Sequence, residues 1–181
     1  MKKDREIAYK SAAITHAHEL GKEGAAVQAY AIALALRTSK PFDPRDYLEE
    51  VARFSRSDVY RSKLKKAIQL LDKGDRRVVV RKLGNGIEAP NSVPTAIYCF
   101  AKNRDNYVKT VLYAVSLRGD ADTIVAMAGA IAGAYLCEEG LPQEWLKKLE
   151  KAEYIKDLAK RLWILKNRLG NLKAFPNLFA L

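Results

Sequence analysis

The stretch IVAMAGAIAGAYLC, residues 124–137, decides the fold class. It reads as a helix apolar on nearly all sides, and a helix with no polar face is buried on all sides. Gly129 and Gly133 lie four residues apart and so share one face, which predicts a neighbour packed very close to it. A second stretch of the same kind runs from Gly24 to Leu36, where Gln28 and Tyr30 are the main exceptions to a run of Ala, Val, Ile and Leu. Two such helices predict the centre of a compact all-α domain, with amphipathic helices wrapped around it.

The flanking sequence supplies those helices. Residues 4–18 are moderately apolar. Asp43-Pro44 offers an N-cap with proline at the first helical position, which predicts a helix to about Phe54. Leu64, Ile68 and Leu71 form one stripe of a helix from about Val59 to Leu71. Gly74-Asp75 is a break with a new cap. Arg76–Leu83 is short, and its Val78-Val79-Val80 is compatible with strand, although no neighbouring segment offers a partner. Ser92 is read as the cap of a helix with Pro94 near its start. Asp105–Leu117 is the next helix, Pro142 opens a short one, and Glu153–Arg168 closes the set. No repeat and no linker stands out, so residues 1–181 are expected to form a single domain with an irregular tail at 169–181.

Of the 181 residues, 49% are hydrophobic, a composition of folded proteins and not of disordered ones. The formal net charge is +11, which favours anionic partners. The charge is nevertheless spread along the chain, as it is on solvated helix faces. Cys99 and Cys137 are the only cysteines and both sit in apolar runs, so buried thiols in a reducing compartment are expected rather than a disulfide scaffold. The charged N-terminus leads into no apolar signal core, and the longest apolar run falls short of the roughly 20 residues a membrane span needs. The expectation is a soluble cytoplasmic protein with no membrane partner.

Asp120, Asp122 and Thr123 form the sharpest polar constellation. Two carboxylates and a hydroxyl within four residues suit a hard cation such as Mg²⁺ or Ca²⁺. The same residue types cap helices, and one of them would suffice for that. His16 and His18 are the only histidines, and at i and i+2 they point apart on a helix, which argues against a shared zinc. The loop Gly84-Asn85-Gly86-Ile87 is a turn, or a place where backbone N–H groups approach a phosphate while a ring packs on Ile87. No Ser-His-Asp or Cys-His arrangement rises above chance.

Three stretches taken together resemble one family. Leu83-Gly84-Asn85-Gly86-Ile87, followed by Ser92-Val93-Pro94-Thr95-Ala96-Ile97-Tyr98-Cys99-Phe100, resembles the ADP-ribosyl-acceptor hydrolases of the ADP-ribosylglycohydrolase family, most closely the serine-directed branch. Ser116-Leu117-Arg118-Gly119-Asp120-Ala121-Asp122-Thr123-Ile124 resembles that family's C-terminal metal motif, Gly-Gly-Asp-Thr-Asp-Thr. Thr15-His16 with Leu20-Gly21 and Gly24-Ala25-Ala26 resembles its histidine-bearing turn. The resemblance implies a compact orthogonal multi-helix domain holding two Mg²⁺ ions. It implies Asp120, Asp122 and Thr123 as metal ligands, His16 near the diphosphate of ADP-ribose, and Gly84, Asn85, Gly86 and Ile87 along the adenosine end. The implied reaction is hydrolysis of the bond at the anomeric carbon of the distal ribose in ADP-ribosylated protein or related conjugates.

The departures are equally specific. The family begins with a Gly-Asp-Ala-Leu-Gly type motif and a Thr-Asp-Asp type motif, and neither occurs in this chain. The expectation is therefore a C-terminal part, truncated or split and lacking the N-terminal helices. The acidic residue used near the scissile bond would lie in the missing half, so the catalytic residue is unknown. Arg118 and Ala121 stand where the motif has Gly and Thr. Partners to expect are ADP-ribose or ADP-ribosylated protein, together with an N-terminal-half chain or a second copy. The alternatives are an inactive ADP-ribose or nucleotide-binding module or degenerate family remnant and, less in keeping with the motifs, a nucleic-acid-binding helical protein.

Overall fold

The computed structural model describes residues 2–72 and 74–172 of the chain. Its helices, in order, are α1 (Lys2–Ala12), α2 (Glu19–Ala35), α3 (Pro44–Phe54), α4 (Asp58–Leu70), α5 (Arg76–Leu83), α6 (Ala89–Asn103), α7 (Tyr107–Ser116), α8 (Ala121–Leu136), α9 (Gln143–Leu146) and α10 (Ala152–Leu172). No strand occurs among the described residues, so the fold is all-α as the sequence predicts. The Val78–Val80 run that is compatible with strand lies inside α5. No helix among the described residues is long and apolar enough to cross a membrane.

Local chemistry sets several of these boundaries. The Asp43 carboxylate accepts the N–H of Arg45 at 2.7 Å, with Pro44 at the first helical position, as the sequence predicts for α3. Asp75 does the same for α5 through Arg77 N–H at 2.9 Å. His18 starts α2, its ring Nδ1 accepting the N–H of Leu20 at 3.1 Å. Ser92 does not cap α6. That helix begins one turn earlier, after Glu88, and the Ser92 hydroxyl lies inside it, donating to Glu88 O. Pro94 is therefore interior to α6. It lacks an N–H for the helix, and side chains tie this turn down instead: the Thr95 hydroxyl lies 2.8 Å from both the Gly84 and the Asn91 carbonyl oxygens.

The chain divides into two compact units, residues 1–141 and 142–181. In the first, the fully buried helix is α6, which packs against α2, α3, α4, α5, α7 and α8. Every residue from Ser92 to Ala101 is buried. Phe100 joins Phe42, Tyr47 and Tyr135 in a cluster of ring contacts at 5.0–5.9 Å. The two helices expected at the centre, α2 and α8, pack on each other and on α6, but each keeps an open face: Ala29 on α2, Ala126 and Ala130 on α8. The polar groups that make α6 look ordinary, such as Thr95 and Tyr98, are satisfied inside the core, the Tyr98 hydroxyl donating to Leu70 O at 3.0 Å. Of the two glycines on α8, only Gly129 faces a close neighbour, the Tyr107 hydroxyl, while Gly133 has open space. Cys99 is buried as expected. Cys137 is exposed, because α8 ends there with a turn into positive φ.

The second unit contains α9 and α10. Residues 169–172, assigned to the irregular tail from sequence, continue α10, and the rest of that tail lies outside the described residues. Along α10 an Asp157–Arg161 pair at 2.6 Å and a Lys166 ammonium 4.6 Å from the Trp163 ring accompany exposed Leu158, Leu162 and Trp163.

Candidate functional site

Gly119 is the hinge of the site. Its φ of +68° lies in the left-handed region, and a Cβ there would fall 2.1 Å from the Asn85 carbonyl oxygen. That close approach lets Asp120 N–H donate to Asn85 O at 2.8 Å. The Asn85 side-chain amide returns a bond to Leu117 O at 2.9 Å. The Gly84–Ile87 loop and the loop before α8, separated by more than thirty residues in sequence, are thus stitched by two hydrogen bonds.

Asp120 occupies the N-cap position of α8, yet its side chain caps nothing. It accepts the hydroxyl of Thr123 at 3.0 Å instead. The Asp122 carboxyl is held below the ordinary carboxylate range by a hydrogen bond shared with Asp120 and by the N–H of Thr123. Two carboxylates and a hydroxyl therefore converge at the positive end of a helix, with the capping role unfilled. Among the described residues no three His, Cys, Asp or Glu side chains form a group that could hold a metal ion. The oxygens of Asp120, Asp122 and Thr123 match a hard cation in kind but fall short of a full coordination set in number.

Beside this loop lies a cavity of about 550 Å³. Three of the residues singled out from sequence meet on it: His16 from the turn after α1, Ile87 from the glycine-rich loop and Thr123 from α8. Its floor is the open face of α2, made of small residues such as Gly21, Gly24, Ala25 and Ala29. The apolar run that predicted burial on all sides instead leaves room for an occupant here. Ile87 is 80% exposed, an aliphatic surface free to take a flat ring. His16 is exposed, with Nδ1 2.8 Å from the Thr15 hydroxyl. Gly84, Asn85 and Gly86 shape the loop that carries Ile87 but do not line this cavity, and Asp120 and Asp122 stand outside its lining as well.

Sequence reasoning missed two features. Gln28 lines the cavity, donates to Met127 O at 3.0 Å across to α8, and has its own side-chain oxygen buried without a hydrogen-bond partner. It was visible only as the polar exception in an apolar run. The second is a buried ion pair. Glu23 of α2 is 3% exposed and receives the Arg5 guanidinium of α1, the Tyr9 hydroxyl, the Ser55 hydroxyl at 3.0 Å and Arg56 N–H at 2.7 Å. Arg5 also lies over the Phe54 ring, 4.1 Å from its centroid. This network fixes α1 against α2 and the end of α3, and so holds the cavity wall formed by Ala8, Ser11 and Ala12.

The sequence model of the ADP-ribosylglycohydrolase family matches residues 2–171. The chain is 39% identical over 186 aligned positions to ADP-ribosylhydrolase ARH3 of Mus musculus, covering 87% of this chain and 50% of that protein. Against ADP-ribosylhydrolase ARH3 of Homo sapiens the identity is 38%, with 87% of this chain and 51% of that protein covered. A shorter match, 33% over 93 positions, is to ADP-ribosylarginine hydrolase Tri1 of Serratia proteamaculans and covers 51% of this chain and 24% of that protein. The chain thus spans about half the length of the ARH3 relatives it matches.

Proposed function

Because this chain belongs to the ADP-ribosylglycohydrolase family, we propose that it supplies one side of an ADP-ribose site in a hydrolase acting on ADP-ribose conjugates. The observation that carries the proposal is the meeting of His16, Ile87 and Thr123 on one cavity, next to the paired carboxylates of Asp120 and Asp122. In this reading Ile87 packs against the adenine ring and His16 lies near the diphosphate. Gly84, Asn85 and Gly86 hold the adenosine-side loop in place. Serine is the first acceptor to test, on the strength of the ARH3-like motifs.

Asp120, Asp122 and Thr123 are the residues to hold Mg²⁺, two ions in a complete site. A divalent cation between two carboxyl groups this close offsets the repulsion that would otherwise oppose ionising both. When bound, the metal supplies a Lewis acid and a template for water and ribose hydroxyls. The chain's own residues position the nucleotide: the small-residue floor of α2 admits it, Ile87 excludes water from one ring face, and the stitched loops fix Asp120. In the reaction the bond from the anomeric carbon to the acceptor breaks, a bond to water oxygen forms, and the acceptor leaves with a proton. The cavity lining holds no carboxylate to take the proton of the attacking water. That observation supports a general base contributed by another segment. It also sustains the second reading, a module that binds ADP-ribose without turning it over.

The test pairs this chain with a matched N-terminal half of an ARH3-type protein and measures ADP-ribose released from a serine-ADP-ribosylated peptide in Mg²⁺. Release is expected from the pair and from neither part alone. Ile87→Ala is expected to raise KM about tenfold, the effect of losing one apolar ring contact worth about 1.5 kcal/mol. Binding without release in the matched pair would favour the module instead.

A further inference from the structure

A second concavity, about 770 Å³, shares no residue with the first and is lined by Arg76, Arg77, Arg81 and Arg118 together with Asp75 and Asn85. Four exposed arginines thus line one hollow with a single acidic residue, whose carboxylate already accepts the N–H of Arg77. No ion pair to any of the four occurs among the described residues, although Arg45, Arg53 and Arg61 elsewhere in the same unit are paired. Arg118 stands at a φ of 60°, a conformation that favours glycine, directly before Gly119. Unpaired arginines gathered around a hollow repel one another, and an anion with several oxygens offsets that repulsion while matching the planar fork of each guanidinium.

From this geometry we infer that the concavity is a second binding site, specific for a small anion carrying a di- or multiply charged phosphate group. Its size is that of a small-molecule pocket and not of an extended groove. Its lining contains no aromatic side chain on which a base could stack, which sets it apart from single-strand nucleic-acid sites. Asn85 belongs to this wall and, through its carbonyl, to the Asp120 loop, so an anion held here abuts the backbone that positions the metal residues. The inference stands independently of the ADP-ribose reading.

The probe is inorganic pyrophosphate, titrated calorimetrically into the full chain in EDTA, so that no divalent cation takes part. Saturable binding is expected, weakened at least tenfold in Arg77→Gln/Arg81→Gln and also in Arg118→Gly, which removes the guanidinium while relaxing the backbone. Lys65→Gln/Lys66→Gln, on exposed residues of α4, removes equal charge elsewhere and is expected to leave binding unchanged. Circular dichroism confirms that each variant is folded. Three results would overturn the site: no saturation at millimolar pyrophosphate, equal loss in the lysine variant, or tighter binding of a single-stranded oligonucleotide than of pyrophosphate.

Discussion

Glu23→Ala is expected to destabilise the first unit by about 3–5 kcal/mol, because it leaves Arg5 charged and buried without its partner. For a chain of this size that lowers Tm by about 10 °C. Thermal unfolding followed by circular dichroism reads the effect. Removing both charges, as Arg5→Met/Glu23→Leu, is expected to recover most of the loss, since a well-packed apolar pair replaces a buried ion pair at little cost. A double variant as unstable as Glu23→Ala would mean that packing around these residues, and not the unpaired charge, sets the effect. Protonation provides a second check. Burial alone would raise the Glu23 carboxyl, but hydrogen bonds from Tyr9, Arg56 N–H and Arg5, with the Arg5 charge, outweigh it and hold the group below its ordinary value. A group depressed in the folded state stabilises above its unfolded pKa, about 4.3. That contribution disappears as pH falls through the folded value. Glu23→Gln, which cannot ionise, is therefore expected to lie well below wild type in stability at pH 7 and to converge on it as pH falls below the depressed folded pKa of Glu23. Because the network also fixes α1, ADP-ribose affinity is expected to fall with it.

Gly119→Ala is expected to damage the site far more than its size suggests. A methyl group cannot occupy a point 2.1 Å from the Asn85 carbonyl, and φ at this position is already +68°. Backbone strain of this kind costs about 1–3 kcal/mol. The loop must move to relieve it, and the Asp120–Asn85 hydrogen bond is what yields. A displacement on the scale of 1 Å at residues that position reacting groups costs about a hundredfold in function. The expected result is a chain that still folds, by circular dichroism, but whose Mg²⁺-dependent ADP-ribose affinity drops by about two orders of magnitude. Unchanged affinity would show that the stitching of the two loops is incidental.

The fold was legible where local chemistry is decisive. Asp43-Pro44 and Asp75 announce their helices by capping alone, and the apolar runs of α2 and α8 declare helices that pack together. The centre of the core was not legible, because α6 carries a serine, a threonine, a tyrosine and an interior proline, and the tertiary bonds of Thr95 to Gly84 O and of Tyr98 to Leu70 O do not show in the sequence. A run of small residues also cannot reveal whether its face is closed by a neighbour or left open. On α2 the face is open and becomes the cavity floor. Of the candidate site, the motifs single out His16, Ile87 and Thr123, and these three line one cavity. Asn85, which joins the glycine-rich loop to the one before α8, also lines the arginine-rich concavity, a placement its motif did not announce. The Arg5–Glu23 pair left no signal, since a lone acid before an apolar run looks like any first-turn residue.

The central claim, that Asp120, Asp122 and Thr123 form a metal-dependent half of an ADP-ribose site, is tested most directly by ADP-ribose calorimetry with and without Mg²⁺, on the wild-type chain and on Asp120→Asn. The account predicts saturable binding that Mg²⁺ strengthens at least about tenfold, with that gain abolished in Asp120→Asn. Binding indifferent to Mg²⁺, or no binding at millimolar ADP-ribose, would contradict it.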